Sequence, residues 1–310
     1  MAETLPADIP ADLGALLDRV PSLAGSPRQV QPLPGGLTNH NYKITTPAGA
    51  FVARVFTTGS DLLAINRDDE HHNTAAAAAA GAGPPVIEYR PDDGVLVIGY
   101  IEGRTFGNED LARPGNISRV AQACRRLHGA QPFINGFDIF EVQRSYLDVI
   151  REWGFRLPGG YAALMPRFEE ARRALAVRPE RAVPCNNDLL AGNFIDDGDR
   201  IWLIDYEYSG NNDPCFELGN IWAECHLSLD GLADLVGEYY GGRQRSKIAR
   251  ARLLGLAGKY TWTLWGAIQA STSPLDVDFW PWAMDRYEGA AEGFTGPDFA
   301  RLLDEVQLDD

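Results

Sequence analysis

The sequence predicts an α+β protein: a small antiparallel sheet with one main helix, followed by a larger and mostly helical part. Three observations lead there. Five short strand-like runs surround a single helical run in the first hundred residues. From about Ile117 onward the apolar spacing is helical, interrupted by one hairpin. The chain has 310 residues, of which 45% are hydrophobic and 23% charged. That suits a globular protein too long for one small core, and it excludes wholesale disorder or a fibrous repeat.

Gln29–Pro34, Asn41–Thr46 and Phe51–Phe56 read as strands, the last two joined by a turn at Pro47-Ala48-Gly49. Arg67–Ala80 reads as a helix stopped by Gly81, Gly83 and two prolines. Its six-alanine run favours helix over disorder, because alanine is the best helix former. Val86–Tyr89 and Val95–Tyr100 return to strand. Gly99–Gly103 is then a short connector. Ile117–Gly129, Arg144–Phe155 and Ala163–Ala176 carry helical spacing. Phe194–Asp196 and Ile201–Asp205 flank Asp197-Gly198 as a hairpin, and helices resume near Pro214.

Composition narrows the function. Forty-three acidic residues against 28 basic ones give a formal net charge of −15. A general nucleic-acid binder would need clustered Lys and Arg, so this balance argues against one and suits a cationic partner. The plain alternative is that the charge only aids solubility. Lysine occurs only at Lys43, Lys247 and Lys259, and no G-x-x-x-x-G-K-[ST] is present, which excludes a P-loop. Cys124, Cys185, Cys215 and Cys225 form no C-x-x-C, and with five scattered histidines they make no zinc spacing. Sparse cysteines, an acidic Pro-rich start and no run of about 18 apolar residues give the expectation of a cytoplasmic protein with no membrane insertion. No G-x-S-x-G elbow appears, so a serine nucleophile is not expected.

The densest polar cluster is Pro184-Cys185-Asn186-Asn187-Asp188-Leu189-Leu190-Ala191-Gly192-Asn193. Twelve residues beyond Asn193, an apolar strand runs into Asp205. A hairpin between them brings Asn193 and Asp205 together, and an amide oxygen with a carboxylate can hold Mg²⁺. Asp188 is then a nearby carboxylate able to accept a hydroxyl proton. Taken singly, these Asp and Asn residues could equally cap turns. The pair at this spacing, D-x-x-x-x-N followed by a strand-end Asp, is the arrangement of kinase-like phosphotransferases. On the sheet side, Leu33-Pro34-Gly35-Gly36-Leu37-Thr38-Asn39 joins two strands, and its glycines would let backbone approach an anion. A plain turn is the alternative. Arg54 in a buried strand needs a carboxylate partner, and Glu70 on the following helix supplies one. Near the C-terminus, Trp262 and Trp265 share a helical face, followed by Phe279, Trp280, Trp282 and Tyr287. Aromatic faces suit a quaternary ammonium, which offers no N–H to a hydrogen bond. Core packing is the alternative for these rings.

Asn187 to Asn193, Leu203 to Asn212 and Phe216-Glu217-Leu218-Gly219-Asn220 together closely resemble the choline/ethanolamine kinase family, in the aminoglycoside-phosphotransferase-like group. The resemblance runs from about Gly35 to Tyr287. It implies a bilobal protein-kinase-like fold, with residues 1–98 as a nucleotide-binding lobe, 99–104 as hinge and 105–310 as the catalytic and acceptor-binding lobe. It implies ATP and Mg²⁺, Asp188 as base, and Asn193 and Asp205 as metal ligands. It implies Gly35, Gly36, Thr38 and Asn39 over the phosphates, and Arg54, fixed by Glu70, on them. Tyr100 and Ile101 would meet adenine through their backbone. Glu207, Tyr208, Trp262, Trp265, Phe279 and Trp282 would surround the headgroup, with Trp222 as a further wall. The implied acceptor is choline or a close amino alcohol. Ethanolamine, thiamine or an aminoglycoside is the alternative, and a non-catalytic nucleotide- or choline-binding module a third. Two departures stand out. Asn186 replaces the family's usual His, which braces the loop, and Glu217 replaces its usual Asp in a structural or outer role.

Overall fold

The computed structural model describes residues 12–56 and 60–310. Its first part is a five-stranded antiparallel sheet. The strands are β1 (Gln29–Leu33), β2 (Asn39–Thr46), β3 (Gly49–Phe56), β4 (Val86–Arg90) and β5 (Val95–Gly99), in the order β1-β2-β3-β5-β4. All five runs expected from the sequence are strands, with ends shifted by no more than two residues. β3 is central, and Arg54 lies opposite Asn41 of β2 and Leu96 of β5.

Side chains alternate across a strand. Ala53, with Tyr42, Ile44, Val95 and Val97, faces a core completed by Leu13, Leu17, Val20 and Leu23. The first two of those leucines belong to a short helix, α1 (Leu13–Asp18), that the sequence pattern does not disclose. With Ala53 committed to that face, Arg54 must project from the other, toward α2 (Arg67–Ala79). The Asn66 side chain caps α2, accepting from the N–H groups of Asp68 and Asp69. Three acidic residues fill its first turn, favourable at the positive end of a helix, and Gly81 follows its end at φ +68°.

The remainder starts with β6 (Arg104–Thr105), α3 (Asn108–Leu111), α4 (Asn116–His128), α5 (Ile139–Trp153) and α6 (Met165–Val177). Strands β7 (Val183–Cys185), β8 (Phe194–Asp196), β9 (Ile201–Leu203) and β10 (Gly210–Asn212) precede α7 (Pro214–Glu224), α8 (Leu229–Tyr240), α9 (Arg245–Thr272), α10 (Phe279–Thr295) and α11 (Phe299–Glu305). The expected hairpin is β8–β9, with Phe194 opposite Leu203. Two expectations need correction. α5 begins five residues before Arg144, because Asp138 caps it by accepting from Phe140 N–H and Ile139 is buried. β9 stops at Leu203 instead of running to Asp205, because Asp205 turns left-handed at φ +63°. The pairing of β7 with β10, which places Gly210 opposite Cys185, was not expected from sequence. Among the described residues, no helix is long and apolar enough to cross a membrane.

α9, about 42 Å long at 1.5 Å per residue, is the axis of this part, packed by α5, α6, α7, α8, α10 and α11. It carries Trp262 and Trp265. Where α7 crosses it, the two backbones meet at glycines. A Cβ on Gly219 would overlap the Ala251 carbonyl, and one on Gly255 would overlap the Gly219 carbonyl. Gly219→Val should therefore destabilise the protein by about 1–3 kcal/mol or more through overpacking. Urea unfolding measures this, and an unchanged midpoint would mean the helices separate freely.

Candidate active site

The site is built on the turn after β7. Asn186 and Asn187 are fully buried there, and their N–H groups each donate to one oxygen of Glu217, both at 2.8 Å. Glu217 lies in the first turn of α7. Its role is thus to hold the loop, as expected of an outer residue. Asn187 takes up a left-handed φ of +67°. That costs roughly 1–3 kcal/mol for a non-glycine residue. Its side chain offsets the cost by donating to the Tyr208 carbonyl at 3.0 Å and accepting from Asn212 at 2.9 Å.

Asn186 ties two segments together. Its Nδ2 donates to the carbonyls of Ile204 (3.1 Å) and Asp205 (2.8 Å), while its Oδ1 accepts from Asp188 N–H at 3.1 Å. The loop hydrogen bond expected of an Asn at this position is therefore made. Asn193 donates through Nδ2 to the Asp188 carbonyl at 2.8 Å, which leaves its amide oxygen as the atom to offer a cation. Behind the loop, His128, Cys185 and Glu217 bring their ligand atoms within 4.8 Å of one another, a cluster that sequence spacing hid. Glu217 is already committed to the loop amides and His128 Nδ1 to the Tyr239 hydroxyl at 2.7 Å. These groups act as a buried hydrogen-bonded brace.

The sheet contributes a charge cluster. Arg54 Nε donates to Glu70 at 3.1 Å and its Nη2 to Asp205 at 2.5 Å. The Arg54–Glu70 pairing expected from sequence is present. Arg67 joins it, 2.7 Å from Glu70 and 3.4 Å from Glu207. Glu207 also accepts from the Thr38 hydroxyl (2.7 Å) and from Asn39 Nδ2 (3.0 Å).

Asp188, Asn193, Asp205 and Glu207 line one cavity of about 300 Å³. Tyr208, Trp262, Trp265 and Trp282 form an aromatic part of its wall. Trp265 Nε1 donates to the Tyr208 hydroxyl at 2.9 Å, and its ring meets Trp282 edge-on at 5.1 Å. Gly35 and Thr38 reach the cavity; Gly36, Asn39, Arg54 and Glu70 do not. Two of the rings expected at the headgroup lie outside the wall. Phe279 packs behind Trp265 at 5.7 Å and is 2% exposed, so it supports the wall without forming it. Trp222 sits away from the cavity, under Lys259 Nζ at 5.6 Å. Tyr100 and Ile101, expected to meet adenine through their backbone, follow β5 away from this cavity; the Tyr100 N–H donates to the Ala50 carbonyl and its ring lies under Lys43.

Sequence reasoning missed Glu224 and Arg286. Both line the cavity and are buried. Arg286 Nη2 lies 2.6 Å from Glu224, and its guanidinium stands 4.5 Å from the Trp282 ring centroid. They sit on α7 and α10, 62 residues apart, and no local pattern links them.

Burial pushes the Asp188 carboxyl well above the usual range, and Asp205, Glu207 and Glu224 push it further. Burial, then Asp205 and Glu70, raise Glu207 to about 7 against the pull of Arg54 and Arg67. For Arg54, burial opposes the charge, but Asp205, Glu70 and Glu207 outweigh it and raise its pKa. The cavity is therefore short of positive charge. The Asn193 amide oxygen and the Asp205 carboxylate are hard oxygen donors that fit Mg²⁺.

The model for the phosphotransferase enzyme family matches residues 29–254. A choline/ethanolamine kinase family protein from Mesorhizobium loti is 32% identical, with a TM-score of 0.85 over 96% of this chain and 99% of its own. Choline kinase LicA from Streptococcus pneumoniae is 25% identical at a TM-score of 0.73, covering 86% of this chain and 93% of its own. Protein LicA of Haemophilus influenzae is 29% identical over 66% of this chain and 61% of its own length. The fold is the protein-kinase-like one of these enzymes. With its sheet, its helical part and its polar loop all matched by this likeness, the chain belongs to the phosphotransferase enzyme family and, within it, to the choline/ethanolamine kinase family.

Proposed function

We propose that this protein transfers the terminal phosphoryl group of ATP to the hydroxyl of choline or a close amino alcohol. The observation that carries the reading is one cavity bearing Asp188, Asn193 and Asp205 together with Tyr208, Trp262, Trp265 and Trp282. Chemistry and cation recognition then share a space of about 300 Å³, small enough that a bound headgroup sets where its own hydroxyl lies.

Asp188 accepts the hydroxyl proton. Burial and the neighbouring carboxylates raise its affinity for that proton. Asn186 orients it through the Asp188 N–H. Asn193 and Asp205 would hold Mg²⁺, which would supply positive charge to the phosphates. Arg54 holds Asp205 in place and adds positive charge beside the same oxygens. Residues 99–104 hinge the sheet to the helical part, and the loop carrying Gly35, Gly36, Thr38 and Asn39 covers the nucleotide.

The headgroup reading turns on which groups remain uncommitted. Glu207 is engaged by Thr38, Asn39 and Arg67, and Glu224 by Arg286. Both contribute negative field, while the faces of the aromatic wall remain for contact. That favours a methylated ammonium over ethanolamine, which gains most from carboxylates free to accept N–H bonds. An ADP-release assay across choline, ethanolamine, thiamine and an aminoglycoside tests the class, and no turnover with any cationic alcohol would sink it.

Asp188→Ala should cut turnover by roughly 10²–10⁴-fold with nucleotide affinity retained; near-normal turnover removes Asp188 from the mechanism. Asp205→Asn keeps the shape but removes a negative charge, so the Mg²⁺ concentration needed for half-maximal rate should rise sharply. A Mg²⁺ titration that superimposes on wild type refutes the ligand assignment. Trp282 is only partly buried, which makes it the cleanest ring to remove. Trp282→Ala should raise the KM for choline about five- to thirtyfold, on the order of 1–2 kcal/mol, with the KM for ATP little changed. Equal changes in both, with a large fall in Tm, would place the ring in the core instead.

A further inference from the structure

The segment between β1 and β2 belongs to two sites at once. It is the glycine-bearing loop on the sheet side, yet Gly35, Leu37 and Thr38 form part of the wall of the cavity that holds the three tryptophans. It is also fastened from the helical side. Gln269 Nε2 donates to the Leu37 carbonyl at 3.2 Å. Gln269 lies on α9, one turn beyond Trp265, and is 6% exposed. A buried amide on the helix that carries Trp262 and Trp265 is thus committed to loop backbone 232 residues away. Thr38 and Asn39 add a second fastening at Glu207. Leu37 itself is 40% exposed, a large apolar side chain at the cavity edge instead of in a core.

We propose that this loop is a lid on the acceptor cavity, with Gln269 as its latch and Leu37 as the side chain that closes over the bound amino alcohol. The proposal rests on the acceptor reading given above. It makes one loop answer to two ligands. A nucleotide that favours the docked loop completes the acceptor cavity, and an acceptor that packs under Leu37 favours the loop position that covers the phosphates. Thermodynamic linkage requires the two effects to be the same factor.

Tryptophan fluorescence titrations with choline test this, run with and without a non-hydrolysable ATP analogue and Mg²⁺. Wild type should bind choline at least about fivefold tighter with the analogue present, within the usual range of coupling between sites. Gln269→Leu keeps the volume but removes the donor, and should reduce that factor to below about twofold. Equal coupling in variant and wild type overturns the proposal. Amide hydrogen exchange of residues 34–39 supplies a readout that needs no acceptor. It should be several-fold faster in Gln269→Leu, and unchanged exchange also overturns the latch. Choline that fails to bind wild type rejects the acceptor reading, while the exchange result still decides the latch. If Gln269→Leu does not fold, Leu37→Ala carries the test. It should weaken choline binding several-fold with nucleotide affinity retained, and unchanged choline affinity overturns the lid.

Discussion

Arg54 is 5% exposed, and its guanidinium lies between Glu70 and Asp205 with Glu207 at 4.0 Å. Removing one partner from such a buried pair costs about 3–5 kcal/mol, because the other charge is left stranded. That constraint reaches outward. Arg54 can face this cluster only because Ala53 faces α1, so the register of β3 is fixed by where the charge must go. Asp205 can meet Arg54 only by leaving β9 in a left-handed turn, and the turn is held by Asn186. The sheet and the helical part are therefore joined by ions. The chemistry proposed for Asp205 depends on the same bond that joins them.

Most of the sheet could be read from the chain because β-branched alternation and turn residues are local signals. Strands β1, β4 and β5 and helix α2 come out to within one residue at each end. The polar loop was readable for a different reason: Asp188, Asn193 and Asp205 lie within eighteen positions, so their relation survives as a spacing. Glu224 and Arg286 have no such relation. Their pairing is created when α7 and α10 both pack on α9, and nothing near either residue announces it. The bonds from Thr38 and Asn39 to Glu207 span 169 and 168 residues and are hidden in the same way.

The aromatic residues mark where pattern reasoning stops. Helical spacing places Trp262 and Trp265 on one face, and both line the cavity. Phe279 obeys the same chemistry and is just as close to the wall, but it stands one ring behind it. A sequence specifies that a ring will be covered; which neighbour covers it is decided by helix–helix geometry. α1 shows the complementary limit. Six residues are too few for helical periodicity to stand out, yet its leucines complete the core under the sheet.

All four cysteines are buried and unpaired, and burial pushes their thiols above the ordinary range. The nucleophile in thiol exchange is the thiolate, so these sulfurs are nearly inert while the fold is intact. Their reactivity is a property of the unfolded population. Cys185 adjoins the loop that carries Asp188, Cys215 lies in the first turn of α7, Cys225 caps its end, and Cys124 lies within α4. An alkylating reagent would thus record how often each of these neighbourhoods opens, and a molecule modified at Cys185 could not re-form the loop beside it. In such a protein, oxidative damage is gated by conformational opening, and whatever keeps the fold closed also shields its thiols.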